Sequence, residues 1–204
     1  MRAHLRAGVA IYNEGRFHAA HDAWEDHWLD LDSGTDDERL LHGLIQFTAV
    51  VHHAHDENWS GAAGLADSAG EDLAGLPSPY RGVDLDAIRP FLDRMADEPE
   101  SFDPGDEPQL THDGVALPYE DLGIDATAIA ARVLAEEDDY DVAAVERASE
   151  WAREEIEAGE SGEFTGLVFS FVRDPDHRPI IAQRLIEHVE RRENREADVE
   201  GLFE

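Results

Sequence analysis

Cysteine is absent from this 204-residue chain. Disulfides, thiolate metal sites and cysteine nucleophiles are therefore excluded. Lysine is absent as well. All 16 basic residues are arginine, against 48 acidic ones, and the formal net charge is −32. No basic stripe is available to neutralise phosphates, which argues against a nucleic-acid partner. Long apolar runs are also missing. LIQFTAVV and GLVFSFV fall well short of the roughly 18 residues that a membrane span needs, so no membrane partner is expected. The opening MRAHLRAGVAIYNEGRF has no apolar signal core and reads as the start of a helix. The cytoplasm is the expected location.

The acid is spread along the whole chain, so a disordered acidic tail does not explain it. Self-repulsion of this size opposes a compact fold in dilute buffer. At 1 M salt the Debye length falls to about 3 Å and the repulsion is screened. The composition resembles that of proteins from extreme halophiles, with an acidic surface kept in molar salt. A nucleic-acid mimic is the other reading of so much acid, and the salt reading already accounts for it.

The length suits one substantial domain, or one domain with an elaboration. Apolar residues at helical spacing predict a helix over Arg2 to Asn13, stopped at Asn13-Glu14-Gly15. Phe17 to about Leu31 reads as a second helix. Asp36-Asp37-Glu38 place acid in the first turn of a third, which runs to about Asp56. Trp59 to Leu76, rich in Gly and Ala, reads as a fourth. Short loops between them predict an all-α fold, a bundle of antiparallel helices. Leu76-Pro77-Ser78-Pro79 breaks the pattern. Residues 1–80 are expected to form a four-helix core, and residues 81–204 a helical elaboration packed on it in one compact domain. Helices are expected over Leu85–Asp97, Asp125–Glu136, Asp141–Ala158, Phe164–Val172 and Asp176–Arg195, with Asp125 and Asp141 opening theirs as caps. His112-Asp113-Gly114 between short apolar runs predicts a small β-hairpin near residues 109–117.

The stretch FHAAHDAWEDHW, residues 17–28, concentrates the residues that could carry chemistry. On a helical wheel Phe17, His21, Trp24, Trp28 and Leu31 form an apolar stripe, with Asp22, Asp26 and Asp30 on the solvated side. Glu25 lies one turn after His21. Such an i,i+4 pair can hydrogen-bond, or offer two metal ligands on one face. The third helix carries His42, Gln46, Ala49 and His53 as a polar flank begun by Arg39, on an otherwise apolar helix. Buried polar groups need partners, and His21 and Glu25 are the expected ones. A structural hydrogen-bond network is the alternative to a pocket. Several sharper motifs are missing. There is no HExxH, no pair of Glu-x-x-His, no phosphate loop and no Gly-x-Ser-x-Gly elbow.

Asn13-x-Gly15-x-Phe17, Ala20-His21-Asp22-x-x-Glu25-x-x-Trp28, Arg39-x-x-x-Gly43-Leu44-Ile45-Gln46 and Asn58-x-x-Gly61-Ala62 follow one another over roughly residues 10–76. In this order and spacing they resemble the domain-of-unknown-function family numbered 309. The resemblance implies a compact all-α bundle and makes His21, Glu25, Trp28, Arg39 and Gln46 motif positions. It implies no role for them. Asp22 stands where the family more often has Glu.

Two functional readings follow. The first is a non-enzymatic interaction or scaffold module adapted to high salt, in which these polar residues fix helix register. It expects an exposed apolar docking patch, with Trp59, Trp151 and Phe203 as candidates. The second is a small-ligand or metal-dependent, hydrolase-like enzyme with its site between helices two and three. His21 and Glu25 would be the catalytic pair, and Arg39, Gln46, His53 and Trp28 the ligand-binding residues. No metal ligand set is assigned, and the residues name no cofactor, protein partner or small ligand.

Overall fold

The computed structural model describes residues 1–160 and 162–200. The fold is all-α. Among the described residues the elements are helices α1 (Arg2–Asn13), α2 (Phe17–Trp28), α3 (Asp36–His55), α4 (Trp59–Leu73), α5 (Ile88–Asp97), α6 (Ile124–Glu137), α7 (Val142–Glu157), α8 (Glu163–Arg173) and α9 (Arg178–Glu200), with short 3₁₀ turns between some of them. Phe203 lies outside the described residues. No described helix is long and apolar enough to cross a membrane.

The chain divides into two compact units, Met1–Asp121 and Leu122–Glu204. In the first, α1 to α4 run alternately up and down. His4 stacks on His27 and Tyr12 meets Phe17, which makes α1 and α2 antiparallel. Phe17 stacks on His55 and Trp28 on His42, which does the same for α2 and α3. Two glycines set how closely these helices approach. A Cβ on Gly8 would collide with the Trp24 indole, and one on Gly43 would sit 2.7 Å from the Leu73 side chain. The core is aliphatic and aromatic, with Leu5, Ile11, Trp24, Leu40, Leu44, Phe47 and Leu73 fully buried. Helix α5 packs on α4 within the same unit.

Helix ends follow local chemistry. The Thr35 hydroxyl accepts from the Glu38 N–H, above three acids in the first turn of α3, and Asp141 caps α7 through the Ala144 N–H. The expected Asp125 cap does not form. The N-cap of α6 is Gly123, and Asp125 falls inside the first turn, where it pairs with Arg153.

No strand is present among the described residues. The hairpin expected near 109–117 reduces to a tight turn in which His112 and Val115 exchange both backbone hydrogen bonds, at 2.9 and 3.2 Å, around Asp113 and Gly114 at positive φ. A second such turn, Tyr80 to Val83, pairs with it through the Val83–His112 bridge. The flanks cannot lengthen into strands, because Leu110 on one side is held by the Asn13 side chain and Pro118 on the other lacks an N–H.

In the second unit α7 packs against α6, α8 and α9, and α8 also packs against α6 and α9. Trp151, Phe171, Leu134 and Leu185 lie in its core. Trp151 is therefore no docking residue: it is 2% exposed, and the guanidinium groups of Arg147 and Arg192 both lie over its ring. Trp59 is half-buried. Among the described residues, the large apolar side chains that are exposed are Leu29, Val115, Ile156 and Ile180.

Candidate functional site: the polar edge of α2 and the flank of α3

Alternation of apolar and polar residues turns Ala20, Ala23 and Trp24 of α2 inward. Its edge is left half-open. His21 is not buried as its place on the apolar stripe suggests; its side chain is 30% exposed and that of Glu25 44%, with His21 Nε2 at 3.9 Å from Glu25 Oε1. Asp22 does not face away from them. His21, Asp22 and Glu25 each present one ligand atom, and these three atoms lie within 4.8 Å of one another. Adjacent helical residues are only about 100° apart, so a side-chain rotamer brings Asp22 round to the His21 edge. His18 Nδ1 sits 3.3 Å from Asp22 Oδ2, and the His18 and His21 rings are nearly parallel at 6.2 Å.

On α3, Arg39, His42, Gln46, Ala49 and His53 are all half-buried, so the flank legible in the sequence exists. Its partners differ from those expected. His42 Nδ1 lies 2.7 Å from Asp72 Oδ2 of α4, and His42 Nε2 lies 3.2 Å from Gln46 Nε2. With Nε2 unprotonated, His42 accepts from the Gln46 amide there, while its contact with Asp72 is a close approach of the two groups and not an aligned hydrogen bond. The Trp28 indole stacks on this imidazole, with ring centroids 4.9 Å apart and planes 7° from parallel. Its N–H donates to Glu38 Oε1 at 2.9 Å. That bond is the first cause holding the Glu38 carboxyl below its ordinary range.

Arg39 donates to the carbonyls of Ala74 at 2.6 Å and Glu71 at 3.4 Å. It thereby satisfies the C-terminal end of α4. His53 Nδ1 lies 2.9 Å from Asn58 Nδ2, and Asn58 Oδ1 caps α4 through the Gly61 N–H. The predicted residues thus sort into three places. His21 and Glu25 lie together on the edge of α2. Trp28 and Gln46 converge on His42. Arg39 and His53 sit at opposite ends of α4. Asp72 and Asp22 join the set. His42 was legible as part of the flank. Asp72, far along the chain, was not, because only the close approach at Gly43 brings α4 near enough for it to reach His42.

Residues 5–65 match the domain of unknown function DUF309. The match holds most of α1, all of α2 and α3 and the start of α4, and with them His21, Asp22, Glu25, Trp28, His42 and Gln46. Asp72 lies beyond it. An uncharacterized protein of Aquifex aeolicus (strain VF5) is 28% identical over 108 residues, 53% of this chain. The chain spans about a third (31%) of that relative's length.

Proposed function

We propose that the first unit is a binding module that holds a divalent transition-metal ion on the His21–Asp22–Glu25 edge of α2. The spacing of the three ligand atoms, all within 4.8 Å, carries this reading. One imidazole nitrogen with two carboxylate oxygens suits ions of the manganese-to-zinc series. Three protein ligands leave positions for water or for an anionic ligand. A metal supplies Lewis acidity there, which keeps a hydrolase-like activity as the extension of this reading. His18, beside Asp22, orients that carboxylate as an outer partner. The test is calorimetric titration of the whole chain with Mn, Ni and Zn in concentrated KCl. One-to-one binding that weakens at least tenfold in both His21→Ala and Glu25→Gln supports the site. Binding that is absent, or equal in wild type and both variants, rejects it.

The internal use of Arg39, Gln46 and His53 supports a second reading, a non-enzymatic interaction or scaffold module adapted to high salt, cytoplasmic and without a nucleic-acid partner. Each of these side chains is engaged within the bundle, which is what register-fixing requires. A protein built for molar salt gains stability as KCl rises from 0.1 to 2 M. An unfolding midpoint that stays level or falls over that range rejects the salt adaptation. A scaffold carries out its role without metal, so sedimentation with and without a chelator separates the two readings.

A further inference from the structure

The edge of α2 carries a fourth donor beside His21, Asp22 and Glu25. His18, His21, Asp22 and Glu25 stand at i, i+3, i+4 and i+7, which puts all four on one helix face. Helical side chains lean toward the N-terminus of their helix. Asp22 and Glu25 therefore lean back over the turn that begins at His18, and an ion held by them sits at the level His18 can reach.

The distances agree with that placement. His18 Nδ1 lies 3.3 Å from Asp22 Oδ2. Two ligand atoms on one tetrahedral zinc ion, with bonds of about 2.0–2.1 Å, stand roughly 3.4 Å apart. The His18 and His21 rings are 10° from parallel, with centroids 6.2 Å apart. Two imidazoles on one such ion stand roughly 5 Å apart by the same bond lengths, so a small turn of one ring closes the difference. His18 is the ring free to make it. Its side chain is 69% exposed, and it can swing toward the other three donors without displacing packed atoms.

We propose that His18 turns in as a fourth ligand to zinc and sharpens the preference of this site for zinc over manganese. The proposal rests on the metal-binding reading of the α2 edge. One imidazole with two carboxylates is an oxygen-rich set, which manganese accepts. A second imidazole moves the set toward the nitrogen ligands that suit zinc. Four protein ligands also fill a tetrahedral shell and leave no position for water. Manganese favours six oxygen-rich positions, and with it His18 stays on Asp22 as the outer partner. Zinc thus closes the site, and manganese leaves it open to water.

The test titrates the whole chain with zinc, manganese and cobalt(II), the last as a coloured stand-in for zinc, in wild type, His18→Ala and His21→Ala. Because His18 is exposed, its variant keeps the fold. Wild type with cobalt is expected to show the strong visible absorption of a four-coordinate ion, and His18→Ala the weak absorption of a higher-coordinate one. The ratio of zinc to manganese affinity should shrink about tenfold or more in His18→Ala. A weak cobalt spectrum in wild type overturns the proposal. So does an equal loss of zinc and manganese affinity in His18→Ala, the mark of a residue that only orients Asp22, or no loss at all. In those cases binding that still depends on His21 leaves the metal site standing with three ligands. Wild type that binds none of the ions, or His21→Ala that binds as well as wild type, rejects the metal site and the fourth ligand together.

Discussion

The Asn13 side chain holds the backbone of Leu110 at both ends. Its Oδ1 accepts the Leu110 N–H at 2.9 Å and its Nδ2 donates to the Leu110 carbonyl at 2.9 Å. A side chain at the end of α1 thus does for one residue what a neighbouring strand would do. It fixes the return of a segment almost 100 positions later. Asn13→Ala leaves the groups of buried Leu110 unpaired, and is expected to lower stability by about 1–3 kcal/mol. Chemical denaturation reads the loss. Asn13→Asp keeps the acceptor but loses the donor, and should fall between the two.

Glu155 closes the start of α8. Its Oε2 accepts from the Thr165 N–H at 2.8 Å and the Thr165 hydroxyl at 2.7 Å, and its Oε1 accepts from the Phe164 N–H at 3.3 Å. A carboxylate from α7 therefore replaces the side-chain cap that Gly162 cannot supply. Glu155→Ala should cost about 1–2 kcal/mol, as loss of a cap does. Gly162→Ala should cost a similar amount by another route, since the new Cβ would collide with the Glu155 carboxyl. Because both changes break one contact, the double variant should be less destabilised than the sum of the singles. Thermal melts of the four proteins test this.

The His42–Asp72 contact joins α3 to α4 within a network that also includes Gln46 and Trp28. Both side chains are about a quarter to a third exposed, so the coupling is modest. A double-mutant cycle with His42→Ala and Asp72→Ala should give about 0.5–1.5 kcal/mol of interaction. The stack should also be visible as a change in Trp28 fluorescence in His42→Ala. A coupling near zero would remove the register-fixing role from this pair.

His112 is fully buried in its turn. Desolvation lowers its pKa below the ordinary histidine value. Asp113 opposes that shift, while Arg2 and Arg6 add to it. Burial lowers His27 in the same direction. In the unfolded chain both histidines take up a proton near pH 6.5; in the fold they resist it. Unfolding is therefore favoured by proton uptake, and stability is expected to fall as pH drops below about 6.5, until the lower folded-state pKa is reached. The exposed His177, raised by its Asp174 partner, works the other way. The measurement is the urea midpoint from pH 7.5 to 5.0. His112→Leu should flatten the dependence, and an unchanged slope would exclude His112 as its source.

Much of the architecture follows from short-range chemistry, which one sequence contains. The Asn13-Glu14-Gly15 stop, the acidic first turn of α3 and the Asp141 cap all act within four residues of themselves, and each forms where the spacing puts it. Helix ends that lacked such a signal moved. α2 stops at Trp28 instead of reaching Leu31, and α4 at Leu73 instead of Leu76. The half-buried flank of α3 was likewise legible, because a period of 3.6 fixes which residues share a face.

What that flank touches was not legible. Periodicity places His42 and Gln46 on one edge, but it does not say which helix lies across from them. From the sequence, His21 and Glu25 are the expected partners there. The fold supplies Asp72, because Gly43 lets α4 approach closely, and it turns Arg39 to the carbonyls at the end of α4. The same holds for Asp22, whose wheel position suggested solvent and whose rotamer instead joins His21 and Glu25. Composition, helix identity and helix faces are decided locally by charge, capping and period. The partners of each polar side chain depend on contacts between residues tens of positions apart, and those exist only once the helices have packed.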